Sequence, residues 1–103
     1  MLNIEKTIEN GKAVIALGGR LDTVTAPELS DVINKLPEDT NGIVLDCKDL
    51  EYISSAGLRV LLVAHKAMAQ REGLALTNVN EMVGEVLEVT GFASVLNIVK
   101  AEG

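Results

Sequence analysis

Two adjacent hydroxyls, Ser54 and Ser55, stand where a loop gives way to an apolar run, Ala56 to Val63. A serine at a helix start has two uses. Its oxygen can accept a bond from an unpaired backbone N–H of the first turn, as an N-cap. The same N–H groups and the helix dipole favour an anion, so the position also suits a phosphorylated hydroxyl. Arg59 falls one helical turn after Ser55, within reach of negative charge placed there. Asp22 and Asp46 each follow an apolar segment and are expected just beyond strand ends. Sites gather there in open α/β sheets, although an aspartate in that place also caps turns. His65 comes ten residues after Ser55, about 15 Å along a helix, too far to activate that hydroxyl. The chain has one His and one Cys, no Gly-x-Ser-x-Gly elbow and no glycine-rich phosphate loop. The residues therefore predict no catalysis, no metal site and no cofactor.

The elements that must position these side chains follow from periodicity. Leu2, Ile4 and Ile8 alternate with polar residues, a half-buried strand that Asn10-Gly11 turns back through a type I′ hairpin. Ala13 to Leu17 forms the return strand, which Gly18-Gly19 ends or bulges, and Leu21 adds a short extension before the Asp22 loop. Thr25-Ala26-Pro27-Glu28 reads as a helix start with a Thr cap, and Leu29, Val32, Ile33 and Leu36 line one face until Pro37 stops it. Ile43-Val44-Leu45 is a short apolar run, read as a central strand covered on both faces. The organising helix is expected from about Ser55 to Glu72, with Gly73 as its left-handed cap. On that helix Ser55, Arg59, Val63, Lys66 and Gln70 share a side, either a solvated stripe or a contact face. Leu74 to Thr77 is the next strand, completing a right-handed crossover. Asn78-Val79-Asn80-Glu81 opens a third helix whose expected stripe is Met82, Val83, Val86 and Leu87, ended by Gly91. Val95 to Val99 is read as a final short strand.

Composition narrows the function. The 103 residues carry a net charge of −6 with one Tyr, one Phe and no Trp, so the core is aliphatic and the chain makes one domain. An acidic chain lacking a basic stripe or aromatic platform argues against nucleic acid and anionic membranes. No apolar run reaches the roughly twenty residues of a membrane span, and no signal peptide is visible, which predicts no direct membrane insertion. Cys47 cannot form an internal disulfide and is expected buried at a strand end, which fits a reducing cytoplasm.

The stretch Ser54-Ser55-Ala56-Gly57-Leu58, preceded by Ile43-Val44-Leu45-Asp46 and Leu50-Glu51-Tyr52-Ile53, resembles the signature of the STAS domain. Gly19-Arg20-Leu21-Asp22 with Thr25-Ala26-Pro27-Glu28-Leu29 is similar to that family's Gly-x-Leu-Asp loop and first helix. Both blocks stand in register over nearly the whole chain, and together they resemble the bacterial anti-sigma factor antagonists. The resemblance implies a single α/β STAS domain over 1–103: a mixed four- to five-stranded sheet with three to four helices mainly on one face. It implies phosphorylation of Ser55, which matches the family's position two residues before Gly57; Ser54, standing where many members have Asp, is the lesser candidate. Asp22 matches the family's loop aspartate near that serine, and Asp46, Ser54, Ala56, Gly57, Leu58, Arg59 and Val63 complete the implied partner-binding neighbourhood. Arg59 stands where many members have a small residue. The implied function is that of a non-enzymatic switch. It would bind an anti-sigma factor with serine kinase activity, which supplies ATP, and be reset by a phosphoserine phosphatase. An alternative is a STAS structural subunit of a membrane-associated, lipid-transport-type ATPase complex. A small-ligand module at the strand ends is a further rival.

Overall fold

The computed structural model describes residues 2–100; the expected domain's residue 1 and residues 101–103 lie outside the described residues. Strands β1 (Leu2–Glu9) and β2 (Lys12–Leu21) form the hairpin, and Asn10 and Gly11 take φ of 51° and 80°, the positive pair that a type I′ turn demands. Then follow α1 (Ala26–Asn34), β3 (Gly42–Ile53), α2 (Ser55–Ala67), β4 (Leu74–Val79), α3 (Glu81–Val89), a 3-10 turn (Phe92–Ser94) and β5 (Asn97–Lys100). The five strands lie in sequence order, β1 antiparallel to β2 and the other neighbours parallel.

This order dictates where the helices go. Three crossovers step the same way along the sheet, and right-handed connections then set all three helices on one face. Burial agrees: Ala13, Ile15, Leu17, Ile43, Leu45, Leu74 and Leu76 are buried, whereas the alternating Val14, Ala16, Val44 and Ala75 are only half-buried. The reading of residues 43–45 as covered on both faces is therefore corrected. Leu29, Leu58, Leu61, Val83 and Leu87 close the aliphatic core from the helix side.

Four further expectations change. β3 runs to Ile53, so Asp46 sits inside a strand rather than beyond one. Between Ala16/Gly18 and Gly19/Arg20 the register with β2 slips twice, so that β3 uses two more residues than β2 over the same span. Buried Cys47, Leu50 and Ile53 consequently recur every third residue, a spacing that does not look like a strand. Second, α2 stops at Ala67 instead of Glu72, although Met68 to Glu72 are good helix formers. Arg71 leaves the helix to donate to the Glu38 and Thr40 carbonyl oxygens, and the Glu72 N–H donates to the Asn41 carbonyl at 2.8 Å. Gly73 then turns the chain at φ 78°. Third, Thr25 precedes α1 but makes no side-chain cap; its hydroxyl is committed to the Asp22 loop. Fourth, Met82 is 62% exposed, because Val83 and Leu87 already fill the narrow contact that α3 makes with the sheet.

Candidate functional site

The start of α2 is built against the end of β2. Register places Leu21 beside Ile53, and the Ser54 N–H donates to the Leu21 carbonyl at 2.9 Å. Ser54 is extended (φ −99°, ψ 175°), half-buried, and its hydroxyl oxygen accepts from the Gly57 N–H at 3.4 Å. The Ser54 carbonyl accepts the first helical bond, from Leu58 at 2.9 Å. Ser54 is thus the N-cap. Ser55, the first helical residue, is exposed, and its hydroxyl has no hydrogen-bond partner among the described residues.

Gly57 explains why this helix can start so close to the sheet. A Cβ there would lie 2.7 Å from Leu21 Cγ and 3.1 Å from Ile53 Cγ1, closer than packed carbons tolerate. Gly57 and Leu58 are both buried, so two residues placed in the partner-binding neighbourhood shape the site from beneath and present no surface. Ala56 is half-buried, while Arg59 and Val63 are exposed, Val63 at 62%. Ser55, Arg59 and Val63 succeed one another every fourth residue and so run down one side of α2.

Asp22 begins the loop beside Ser54. Its Oδ1 accepts from the Val24 and Thr25 N–H groups, both at 3.0 Å, while its own N–H donates to the Thr25 hydroxyl at 2.9 Å. That hydroxyl donates to the Arg20 carbonyl at 2.7 Å, with Asp22 Oδ1 3.2 Å away. The Thr25 N–H holds the Asp22 carboxyl below the usual carboxylate range. Partial burial opposes this, and the Thr25 hydroxyl, the Val24 N–H and Arg20 add to it. Asp22 is therefore a loop-organising anion.

Asp46 does not join this group. It pairs across the sheet with Ala16 and Thr77, and its Oδ1 accepts from Asn78 Nδ2 at 3.0 Å and the Lys48 N–H at 3.1 Å. Ile53 lies seven positions further along β3, on the order of 20 Å, so the expectation of two carboxylates flanking Ser55 reduces to Asp22 alone. Cys47, next along, is fully buried, and burial with Asp46 nearby pushes its thiol up to about 12. His65 is half-buried, and its Nδ1 has no partner among the described residues. No group of three or more His, Cys, Asp or Glu among the described residues could hold a metal, and none of their helices is long and apolar enough to cross a membrane.

Two features were not anticipated. A groove of about 240 Å³ lies between α1 and α2, lined by Ile33, Arg59, Val60, Val63 and Ala64 among others; a valine breaking a polar stripe was its one trace in the sequence. Arg20 lies over the Tyr52 ring, 4.2 Å from the centroid, with Nε 3.8 Å from Asp22 Oδ2. Only the pairing of β2 with β3 brings these two together.

A mixed sheet with helices on one face, and a serine-capped helix start seated by glycine on a neighbouring strand end, define a small α/β domain with a single helix layer. The STAS domain matches residues 3–103, and the chain belongs to that family. It is 30% identical over 99 residues to the anti-sigma-B factor antagonist of Staphylococcus aureus (strain NCTC 8325 / PS 47), covering 94% of this chain and 92% of that protein. Its fold is shared by an anti-sigma factor antagonist from Mycobacterium paratuberculosis, with TM-score 0.86, 21% identity and 96% and 86% of the two chains covered. It is also shared by the Bacillus cell fate determinant SpoIIAA solved in the phosphorylated form, with TM-score 0.70, 18% identity and 95% and 90% covered.

Proposed function

We propose that this chain, as one STAS domain over 1–103, is an anti-sigma factor antagonist working as a phosphorylation-controlled partner switch in the cytoplasm. The observation that carries this reading is the unequal use of two neighbouring hydroxyls. Ser54 is spent on capping α2, whereas Ser55 is exposed with a free hydroxyl at the same helix start. A modification at Ser55 leaves the cap intact and places the phosphate where the N-terminal dipole accepts it. The names of its relatives support the antagonist reading, and one structural neighbour was solved in a phosphorylated form.

The unphosphorylated chain binds an anti-sigma factor through the face formed by Asp22, Ser54, Ser55, Ala56, Arg59 and Val63. That partner's serine kinase activity transfers the γ-phosphoryl group of its ATP to Ser55 Oγ; the hydroxyl proton passes to a base on the kinase and ADP leaves. Two added charges and the bulk of the phosphate at the contact break the complex, and a phosphoserine phosphatase restores the hydroxyl. The domain supplies the acceptor and the surface, and no catalytic group of its own. The test is incubation with the purified anti-sigma factor and ATP, followed by peptide mass spectrometry and calorimetry. One phosphate on Ser55, its loss in Ser55→Ala, retained binding by Ser55→Ala and weakened binding by folded Ser55→Asp are expected. A phosphate that persists on Ser54 in Ser55→Ala would overturn the assignment.

A further inference from the structure

Strand pairing sets Thr7, Val14, Val44, Ala75 and Asn97 in one row across all five strands. The next row is Glu5, Ala16, Asp46 and Thr77, followed by Asn3, Gly18 and Asp49. Every residue in these rows is half-buried or exposed, because all three helices lie on the opposite face. Parallel sheets occur almost only with both faces covered. A largely parallel sheet whose second face has a Val14, Val44 and Ala75 centre lacks a layer.

The rim of this face is acidic. Glu5, Asp49 and Glu51 border a hollow of about 780 Å³ with Asn3, Ala16 and Gly18. A Cβ at Gly18 would touch Asp49 Cβ at 3.4 Å and Asn3 Cβ at 3.8 Å, so glycine keeps the hollow open. Those three carboxylates have no ion-pair partner among the described residues. Two of the nearby cations are engaged: Lys12 pairs with Glu72 at 3.1 Å, and Arg20, which also lines the hollow, lies over Tyr52. Lys48 borders an adjoining depression that shares Asp49 and Glu51 with the hollow and runs toward Asn80 and Glu81.

Charge selects the occupant. A second copy docking through a two-fold axis would set these carboxylates against themselves, and nucleic acids and anionic membranes carry the same sign. Five strands span about 19 Å, the length of a helix of about thirteen residues, and a helix is the element that normally completes such a sheet. We infer that the bare sheet face docks a basic amphipathic helix of a partner protein, its apolar side on Val14, Val44 and Ala75 and its cations over Glu5, Asp49 and Glu51. This surface is separate from the Ser55 face, and the inference stands whether or not Ser55 is modified.

The probe is a synthetic helical peptide with Lys along one side and Leu along the other, titrated into the isotopically labelled full chain and followed by amide NMR shifts. The shifts are expected to cluster at Thr7, Val14, Ala16, Val44 and Thr77. Affinity should fall at least tenfold in Glu5→Lys/Asp49→Lys and several-fold in Val14→Thr/Val44→Thr, and should weaken with salt. Glu5→Gln/Asp49→Asn serves the same arm if circular dichroism shows the charge reversal to be misfolded. Three results would overturn the inference: shifts centred on α2 or α3, equal binding of a peptide with Glu in place of Lys, or dimerisation through this face in sedimentation.

Discussion

At Gly57 two effects of opposite sign meet. Alanine in a helix interior is normally about 1 kcal/mol better than glycine. Here the added methyl would stand 2.7 Å from the Cγ of Leu21, which is fully buried and has no room to withdraw. Overpacking of this kind costs about 1–3 kcal/mol, so after the helix gain Gly57→Ala should lose up to about 2 kcal/mol in urea unfolding while displacing the start of α2. A stabilised variant would mean that the helix is not seated on Leu21. The serine pair was half legible in the sequence: a hydroxyl at a helix start reads as cap or acceptor, and Ser54 and Ser55 divide the two uses. Their division depends on the chain direction that the Leu21 carbonyl imposes on Ser54, which no local pattern encodes. Asp46 was misplaced for a related reason, since the bulges carrying β3 past it exist only in register with β2.

Among the elements, one side chain both caps α3 and hydrogen-bonds it to the sheet. Asn80 Oδ1 accepts the Val83 N–H at 2.9 Å, capping the helix, while its Nδ2 donates to the Leu50 carbonyl at 2.7 Å. Removing the cap costs about 1 kcal/mol, and leaving the Leu50 carbonyl unpaired costs about another 1 kcal/mol. Asn80→Ala should therefore lose about 2 kcal/mol in urea unfolding, and Asn80→Asp, which keeps only the acceptor, should fall between. Equal stability of Asn80→Ala and wild type would show that the double role is not used. The start of this helix was visible in the sequence, although the pattern Asn78-Val79-Asn80-Glu81 did not single out Asn80 as the cap; the hairpin, the helix starting at Ser55 and the aliphatic core were visible too, because each depends on turn chemistry or periodicity within a few residues. The end of α2 was not, because Arg71 and Glu72 leave it for partners thirty residues back in the chain, at Glu38, Thr40 and Asn41.

For the whole molecule, phosphorylation of Ser55 would add about −1.5 to −2 to a chain already at −6. The surface opposite the helices holds the carboxylates Glu5, Asp49 and Glu51, which have no ion-pair partner among the described residues. Close to the phosphate three terms compete. The α2 N-terminus favours the anion, Arg59 one turn on can approach it, and Asp22 opposes it, although its carboxylate is held by the Thr25 and Val24 N–H groups. Each term is exposed and worth a few tenths to about 1 kcal/mol. With Asp46 deep in the sheet, the repulsive side is one carboxylate smaller than the sequence suggested. The phosphorylated domain should unfold in urea within about 1 kcal/mol of the unmodified one. In Arg59→Ala the phosphorylated form should be the less stable by a few tenths of a kcal/mol, a difference that fades in 0.5 M salt. A loss of several kcal/mol on phosphorylating the wild type would mean that the modification acts by undoing the helix start, and not by changing the charge and bulk of an intact contact face.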